Sequence, residues 1–134
     1  MNTSAATVTY AIREEFEPAL RSVREALCGR DLRIVGELDL SGRLERSLRI
    51  KLPPCVLLYI WPSARFLESN RIPATAGLLL PLHVVISGRN GRTEIHIMRC
   101  SSADRDGVLA SVRKLQSELR QALEHVAMRL SLVS

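Results

Sequence analysis

Residues 78–100 read L-L-L-P-L-H-V-V-I-S-G-R-N-G-R-T-E-I-H-I-M-R-C, with two apolar runs, Leu78–Ser87 and Thr93–Cys100, on either side of an Asn-Gly pair. Asn-Gly between apolar runs is the strongest short-range signal of a β-hairpin, because both residues tolerate the positive φ of a tight turn. The stretch therefore predicts two antiparallel strands. Since Pro81 has no backbone donor, the first strand is predicted to be an edge strand there or to carry a bulge.

The length of the turn decides which side chains of the hairpin face each other. A two-residue Asn90-Gly91 turn places Val85 opposite His96, whereas a four-residue loop places His83 opposite His96. In both registers His83, Glu94 and His96 project from one face of the hairpin, and five apolar residues line the other face. These apolar residues are Leu82, Val84, Ile86, Ile95 and Ile97.

The polar face of this hairpin carries one candidate site. Opposed or diagonal side chains on neighbouring strands lie within about 4.5–8 Å of each other. Two histidines with a carboxylate suit a divalent metal ion or a proton transfer. His83, His96 and Glu94 are therefore a candidate ligand-binding or catalytic group, with His83 and His96 as candidate metal ligands. The alternative is that they are polar residues on the open side of a half-buried sheet, which need no function.

The segment before the hairpin begins with a predicted strand and a predicted helix. Val8, Tyr10 and Ile12 alternate with polar residues, which is typical of a half-buried strand. Acidic residues lie in or near the first turn of the helix, and Gly29 is predicted to end it. Its apolar positions recur at helical spacing at Phe16, Leu20, Val23 and Leu27.

Two further strands are predicted before the hairpin. The second strand of the chain is predicted to carry Leu32, Ile34, Leu38 and Leu40 on one face and Arg33, Glu37 and Asp39 on the other. Ser41-Gly42 is predicted to end it and to cap a short helix. The apolar run Cys55–Trp61 shows no alternation, which is typical of a strand covered on both faces. Ser63 is predicted to cap one or two helical turns after it.

The last segment, Asp104–Leu130, predicts one long helix. Its apolar positions step by four and three residues, at Val108, Val112, Leu115, Leu119, Ala122 and Val126. This stripe suits either a heptad seam against a second copy or a helix laid across the sheet of its own chain. We favour the second, because a sheet of this size needs a cover. The sequence thus predicts one α+β domain over residues 1–134, with a strand-helix-four-strand body (7–103) and a C-terminal helix (104–131).

The composition bounds the function. The chain has 134 residues, 46% hydrophobic and 4% aromatic, with a formal net charge of +5, and 17 of its 19 basic residues are arginine. Arginine binds phosphate well, but these arginines are dispersed, many stand beside acids, and few aromatic residues could stack on bases. Nucleic-acid binding is therefore the least favoured of the three functions considered.

The chain also predicts a reduced, cytoplasmic protein. Its N-terminus lacks the basic start and apolar core of a signal peptide, and no apolar run approaches the ~20 residues of a membrane helix. The three cysteines, Cys28, Cys55 and Cys100, show no disulfide or zinc spacing. We expect no membrane association and no cofactor.

Several short segments resemble the domain-of-unknown-function 302 family of small bacterial and archaeal proteins. They are F-E-P-A-L at Phe16–Leu20, Asp39 near the end of the second strand, Y-I-W-P-S-A at Tyr59–Ala64, Ile72-Pro73, and L-L-L-P-L-H-V-V-I at Leu78–Ile86. The resemblance implies a β-α-β4-α fold like the TATA-binding protein repeat, with a curved antiparallel sheet covered by two main helices, and a homodimer. It implies no activity, because function resides in sites and not in folds. The chain departs from the family at Ile60-Trp61-Pro62, where Cys-Asn-Pro or Gly-Asn-Pro is common, and at Leu82, where Cys is common.

Three functions follow, in order of preference. We favour a non-enzymatic homodimer that binds a small-molecule ligand or a protein partner, with the sheet face, Trp61 and Asp39 as candidate contacts. The second is a metal-binding protein or enzyme that uses His83, His96 and Glu94. The third is nucleic-acid binding through arginine.

Overall fold

Five strands form one antiparallel sheet in the computed structural model, which describes residues 7–69, 80–98 and 108–133. The strands are β1 (Thr7–Ile12), β2 (Leu32–Asp39), β3 (Cys55–Pro62), β4 (Leu82–Arg89) and β5 (Arg92–Met98). The helices are α1 (Phe16–Cys28), α2 (Leu40–Leu48), α3 (Ala64–Ser69) and α4 (Val108–Val133). The strand order across the curved sheet is β1-β5-β4-β3-β2. The predicted α+β fold is confirmed, while the likeness to the TATA-binding protein repeat stays a prediction.

The hairpin has the two-residue turn. Arg89 pairs with Arg92, and Val85 pairs with His96. Asn90 and Gly91 both have positive φ, 20° and 73°, because a tight turn between right-handedly twisted strands needs this backbone conformation.

The prediction that β4 is an edge strand or carries a bulge at Pro81 is wrong. β4 lies between β5 and β3, and its ladder pairing with both neighbours is continuous. Pro81 immediately precedes the first residue of the strand, Leu82. A proline at that position removes no ladder hydrogen bond.

The predicted faces of β2 are also partly wrong, because a register shift between Ile34 and Gly36 interrupts its alternation. Ile34 pairs with the buried Ile60, whereas Leu38 pairs with Leu57 on the opposite side of the sheet. Beyond this bulge Glu37 lies on the helix side. There the Arg24 Nε–H of α1 donates to Glu37 Oε2 at 2.8 Å.

The core lies between one face of the sheet, α1 and α4. The five apolar hairpin residues are buried there as predicted, together with the stripe of α1. The α4 residues in the core are Val112, Leu115, Leu119, Ala122, Leu123 and Val126. The C-terminal helix therefore covers the sheet of its own chain, which confirms the favoured interpretation. Its predicted start at residues 104–107 lies outside the described residues.

Candidate functional site

One row of side chains runs across all five strands on the face opposite the helices. Thr9 pairs with His96, His96 with Val85, Val85 with Leu57, and Leu57 with Leu38. We call the side of the sheet that carries this row the open face. Among the described residues, α1 and α4 pack on the other side. The open face therefore has no layer of helices comparable to the core side.

His96 lies in the middle of a small polar network on the open face. Thr9 Oγ1 and His96 Nδ1 are hydrogen-bonded at 3.0 Å, and Ser87 Oγ and His96 Nε2 at 3.3 Å. Glu94 Oε1 is 4.0 Å from His96 Nε2, and Glu94 Oε2 is 3.7 Å from the guanidinium of Arg92. Both ring nitrogens of His96 thus have a partner within the protein.

His83 has a different neighbour. Its exposed ring stands edge-on to Tyr59, with ring centroids 5.3 Å apart and an interplanar angle of 83°. In the part of the chain that the structure describes, no group of three or more His, Cys, Asp or Glu side chains is placed to hold a metal ion. Metal binding by His83 and His96 stays a prediction.

β3 is apolar on both sides, but only one side is fully covered. Leu58 and Ile60 are buried in the core, whereas Leu57 and Tyr59 are half-buried on the open face. Val85 beside them is half-buried as well. The prediction of a strand covered on both faces is thus only half met within one chain.

The two other candidate residues have structural roles. Trp61 pairs with Arg33, is half-buried and packs against the core. Asp39, rather than Ser41, is the N-cap of α2: the Gly42 N–H and the Ser41 hydroxyl each donate to Asp39 Oδ1 at 2.9 Å. The hydrogen bond from Gly42 has the largest effect on the pKa of Asp39 and lowers it, and the hydrogen bond from Ser41 lowers it further. Both favour the charged form of the carboxyl group.

Cys55 has the environment of a structural thiol. Burial raises its pKa, and the negative charge of Asp39 raises it further. A reactive cysteine needs a lowered pKa. Cys55 and Cys28 are both free thiols.

The end of the sheet at the hairpin turn holds two clefts that sequence reasoning missed. The first, the arginine cleft, has a volume of about 410 Å³ and includes Glu15, Phe16, Arg89 and Arg92 in its lining. The second, the leucine cleft, has a volume of about 300 Å³, and its distinctive lining is Leu40, Leu44, Leu52 and Cys55. The two clefts share Pro53, Pro54, Gly88 and Arg89.

Comparison with known proteins identifies the family. The model of the domain of unknown function DUF302 matches residues 8–126, most of the chain. The chain belongs to the DUF302 family. Its structure is similar to the crystal structure of an uncharacterized conserved DUF302 protein from Bacillus stearothermophilus, with a TM-score of 0.71 and 17% sequence identity over 88% of this chain and 95% of that one. No curated protein matches the sequence.

Several arginines of this DUF302 chain pair with acids. Within the described ranges, ion pairs link Arg24 to Glu37, Arg30 to Glu118, Arg65 to Asp31, Arg92 to Glu94, and Arg120 to Glu124. Ion pairing on the surface accounts for part of the arginine content without a nucleic acid.

None of the helices in the described part of this DUF302 chain is both long enough and apolar enough to cross a membrane.

Sequence reasoning identified His96 but not its hydrogen-bond partners, Ser87 and Thr9. Ser87 could have been found from the two-residue turn, which pairs it with Glu94. Thr9 could not, because nothing local indicates that β1 joins the sheet beside β5.

Proposed function

We propose that this DUF302 protein is a non-enzymatic cytoplasmic binding domain that forms a homodimer through its open face. The observation that carries the proposal is the mismatch at β3. Its sequence is apolar on both sides, as in strands covered twice, yet Leu57 and Tyr59 lie on the side that α1 and α4 leave open. A second copy of the same face would supply the missing cover.

The size of the open face suits a dimer. Five strands at about 4.8 Å spacing and six to eight residues at about 3.4 Å each project to roughly 600 Å². Because side chains protrude from the sheet, its accessible area is larger than this projected area. It approaches the area of about 800 Å² per partner that a stable interface buries. A two-fold axis through the face would use the same patch of both copies, so that every contact off the axis is made twice.

The polar groups of the open face support burial rather than oppose it. Burying a polar group costs free energy unless it is hydrogen-bonded. The two ring nitrogens of His96 are already bonded to Thr9 and Ser87, and Glu94 lies beside Arg92. These groups could therefore be covered without losing partners. The free thiols of Cys28 and Cys55 agree with a reducing compartment such as the cytoplasm.

Light scattering after size exclusion tests the dimer directly. The wild-type chain is expected to elute at twice the subunit mass of 14.9 kDa. Val85→Arg, in the middle of the row across the open face, is expected to elute at one subunit mass because it places an unpaired charge in the interface. Met128→Arg, on an exposed part of α4, is the matched control and should stay dimeric.

The outcomes are separable. A wild-type mass of one subunit at high protein concentration would refute the homodimer. A dimer that survives Val85→Arg would remove the open face as its interface. Far-ultraviolet circular dichroism of both variants shows whether the fold is retained.

The second candidate function is metal binding at His83, His96 and Glu94, favoured by the 4.0 Å approach of the His96 and Glu94 side chains. A metal ion at His96 Nε2 would replace the hydrogen bond of that nitrogen to Ser87. Calorimetric titration of zinc into the wild type and His96→Ala tests it. Heat that the wild type gives and His96→Ala lacks would support the site, while equal, negligible heats would end it.

A further inference from the structure

We propose that the two clefts at the hairpin end of the sheet bind one amphipathic anion, a carboxylate or phosphate ester carried on an apolar chain. The acidic group would lie in the arginine cleft, and the chain would lie in the leucine cleft. The clefts have Pro53, Pro54, Gly88 and Arg89 in common, so one ligand can reach both. This site lies at the end of the sheet and does not depend on the homodimer.

The arginine cleft has the chemistry for an acidic group. Arg89 and Arg92 are opposite each other on either side of the turn, so both guanidinium groups belong to the same end of the hairpin. The Arg89 side chain has no ion pair with any described residue, and Arg92 has only the 3.7 Å contact with Glu94. Guanidinium groups bind carboxylates and phosphates through paired, charge-assisted hydrogen bonds.

One acidic side chain, Glu15, also lines the arginine cleft. Glu94, which contacts Arg92 from outside the lining, offsets the charge of that arginine, so Arg89 is the guanidinium of the lining that has no acidic partner among the described residues. One such guanidinium matches a ligand with a single acidic group. A polyanion such as a nucleic-acid strand would meet Glu15 as well and would be repelled by it.

The leucine cleft has the chemistry for an apolar chain. Leu40, Leu44 and Leu52 line it together with the two prolines. The side chain of Leu44 remains 45% exposed although it faces this cleft. Covering such apolar surface is favourable in proportion to its area. An inorganic anion would leave this surface in water, which is why the proposal requires an apolar chain.

The backbone that lines both clefts is held in place before any ligand arrives. The Gly88 N–H donates to the Pro54 carbonyl at 2.9 Å, and the Leu52 N–H donates to Glu45 Oε1 at 2.8 Å. The proline pair further limits the backbone of this loop. A preformed site loses little conformational entropy on binding.

Isothermal titration calorimetry with decanoate and with decyl phosphate, both below their micellar concentrations, tests the proposal. Decanol and acetate serve as the apolar and the anionic half of the ligand. We expect heat from decanoate, decyl phosphate or both, and at least ten-fold weaker binding of decanol and of acetate. Which of the two head groups binds more tightly identifies the acidic group.

Matched variants locate the site. Arg89→Gln is expected to weaken binding about ten-fold, because one charge-assisted pair is lost, and Leu44→Ser several-fold. Arg21→Gln on α1 and Leu67→Ser on α3 make the same changes at exposed positions outside the clefts and should bind like the wild type. Thermal unfolding of each variant confirms that it is folded, and Arg92→Gln repeats the charge test independently.

Three results would overturn the proposal: no heat with either amphipathic anion, decanol binding as tightly as decanoate, or Arg89→Gln binding as tightly as Arg21→Gln. The titration is repeated in Val85→Arg. Loss of the dimer and loss of ligand binding are then separate measurements, and neither failure can be mistaken for the other.

Discussion

Val85 of β4 lies directly opposite His96 of β5, and this pairing sets which side of the hairpin meets the core. Side chains alternate along a strand, so a slip of one residue would turn every side chain of the strand to the other face. With Val85 opposite His96, the isoleucines of both strands are buried and the His96 network stays on the open face.

The turn that produces this register is expected to be sensitive at Gly91. Its φ of 73° is in the left-handed region, where a β-carbon costs about 1 kcal/mol or more. Gly91→Ala should therefore lower the free energy of unfolding by about 1 kcal/mol in urea titrations, through strain alone, because the nearest atom to the new Cβ is at 3.5 Å. Asn90→Gly, which relaxes the same turn, should stay within about 0.5 kcal/mol of the wild type. Equal stability of Gly91→Ala and wild type would contradict the turn geometry.

Gly88 is expected to be intolerant for a different reason, which is space. A Cβ there would lie 2.9 Å from Pro54 Cγ and 3.1 Å from Phe16 Cβ. Gly88→Ala should cost about 1–3 kcal/mol in urea unfolding, as overpacked sites do. Gly29→Ala is the control, because its nearest neighbours are backbone oxygens at 3.8 Å and its φ is −83°. If both variants unfold at the same urea concentration, the close approach of Gly88 to Pro54 and Phe16 is refuted.

Asp39 is expected to make the stability of the protein depend on acid pH. Its pKa in the folded protein is lowered by the hydrogen bonds from Gly42 and Ser41. The carboxylate therefore contributes fully to the free energy of unfolding above pH about 5, and this contribution is lost as the pH falls through the lowered pKa. Asp39→Asn keeps an N-cap acceptor but cannot titrate. The stability difference between the wild type and Asp39→Asn should therefore shrink or reverse as the pH falls from 7 to 3.

Thermal unfolding of the wild type, Asp39→Asn and Asp39→Ala across that pH range checks the prediction. Asp39→Ala should be the least stable of the three at neutral pH, because it also loses the cap. A wild type to Asp39→Asn difference that does not change with pH would contradict the role of the carboxylate.

The packing of α4 on its own sheet predicts the effect of truncating its stripe. Leu119 is 1% exposed in the core, so Leu119→Ala should lower the free energy of unfolding by about 3 kcal/mol through lost burial and a cavity. Met128, on the same helix, is 66% exposed. Met128→Ala should therefore change the free energy of unfolding by less than about 0.5 kcal/mol. This difference should not depend on protein concentration, whereas a heptad seam between two copies would make it concentration-dependent.

Local chemistry explains which elements could be predicted. Asn90-Gly91 predicted the hairpin, and the helical spacing of Phe16, Leu20, Val23 and Leu27 predicted α1 with its end at Gly29. These signals arise from side chains and backbone preferences within a few residues. They need no knowledge of what packs against the segment.

Two of the errors arise from contacts between distant segments. The prediction for Leu38 is wrong because the bulge after Ile34 is a feature of pairing with β3. The prediction of an edge strand or a bulge at Pro81 is wrong because the position of β4 in the sheet depends on the order of all five strands. The third error, the cap of α2 at Ser41-Gly42, has a local cause instead: the carboxylate of Asp39 lies two residues before Ser41 and accepts the Gly42 N–H.

The candidate site divides in the same way. Local sequence was enough to predict that His83, Glu94 and His96 share one face of a hairpin, because strand alternation is a property of the backbone. The hydrogen bonds of His96 to Thr9 and Ser87, the contact of His83 with Tyr59, and the place of Arg89 in both clefts depend on how the chain folds as a whole. These relationships join residues far apart in the chain. They arise only when packing of the core sets the order of the strands and brings their ends together.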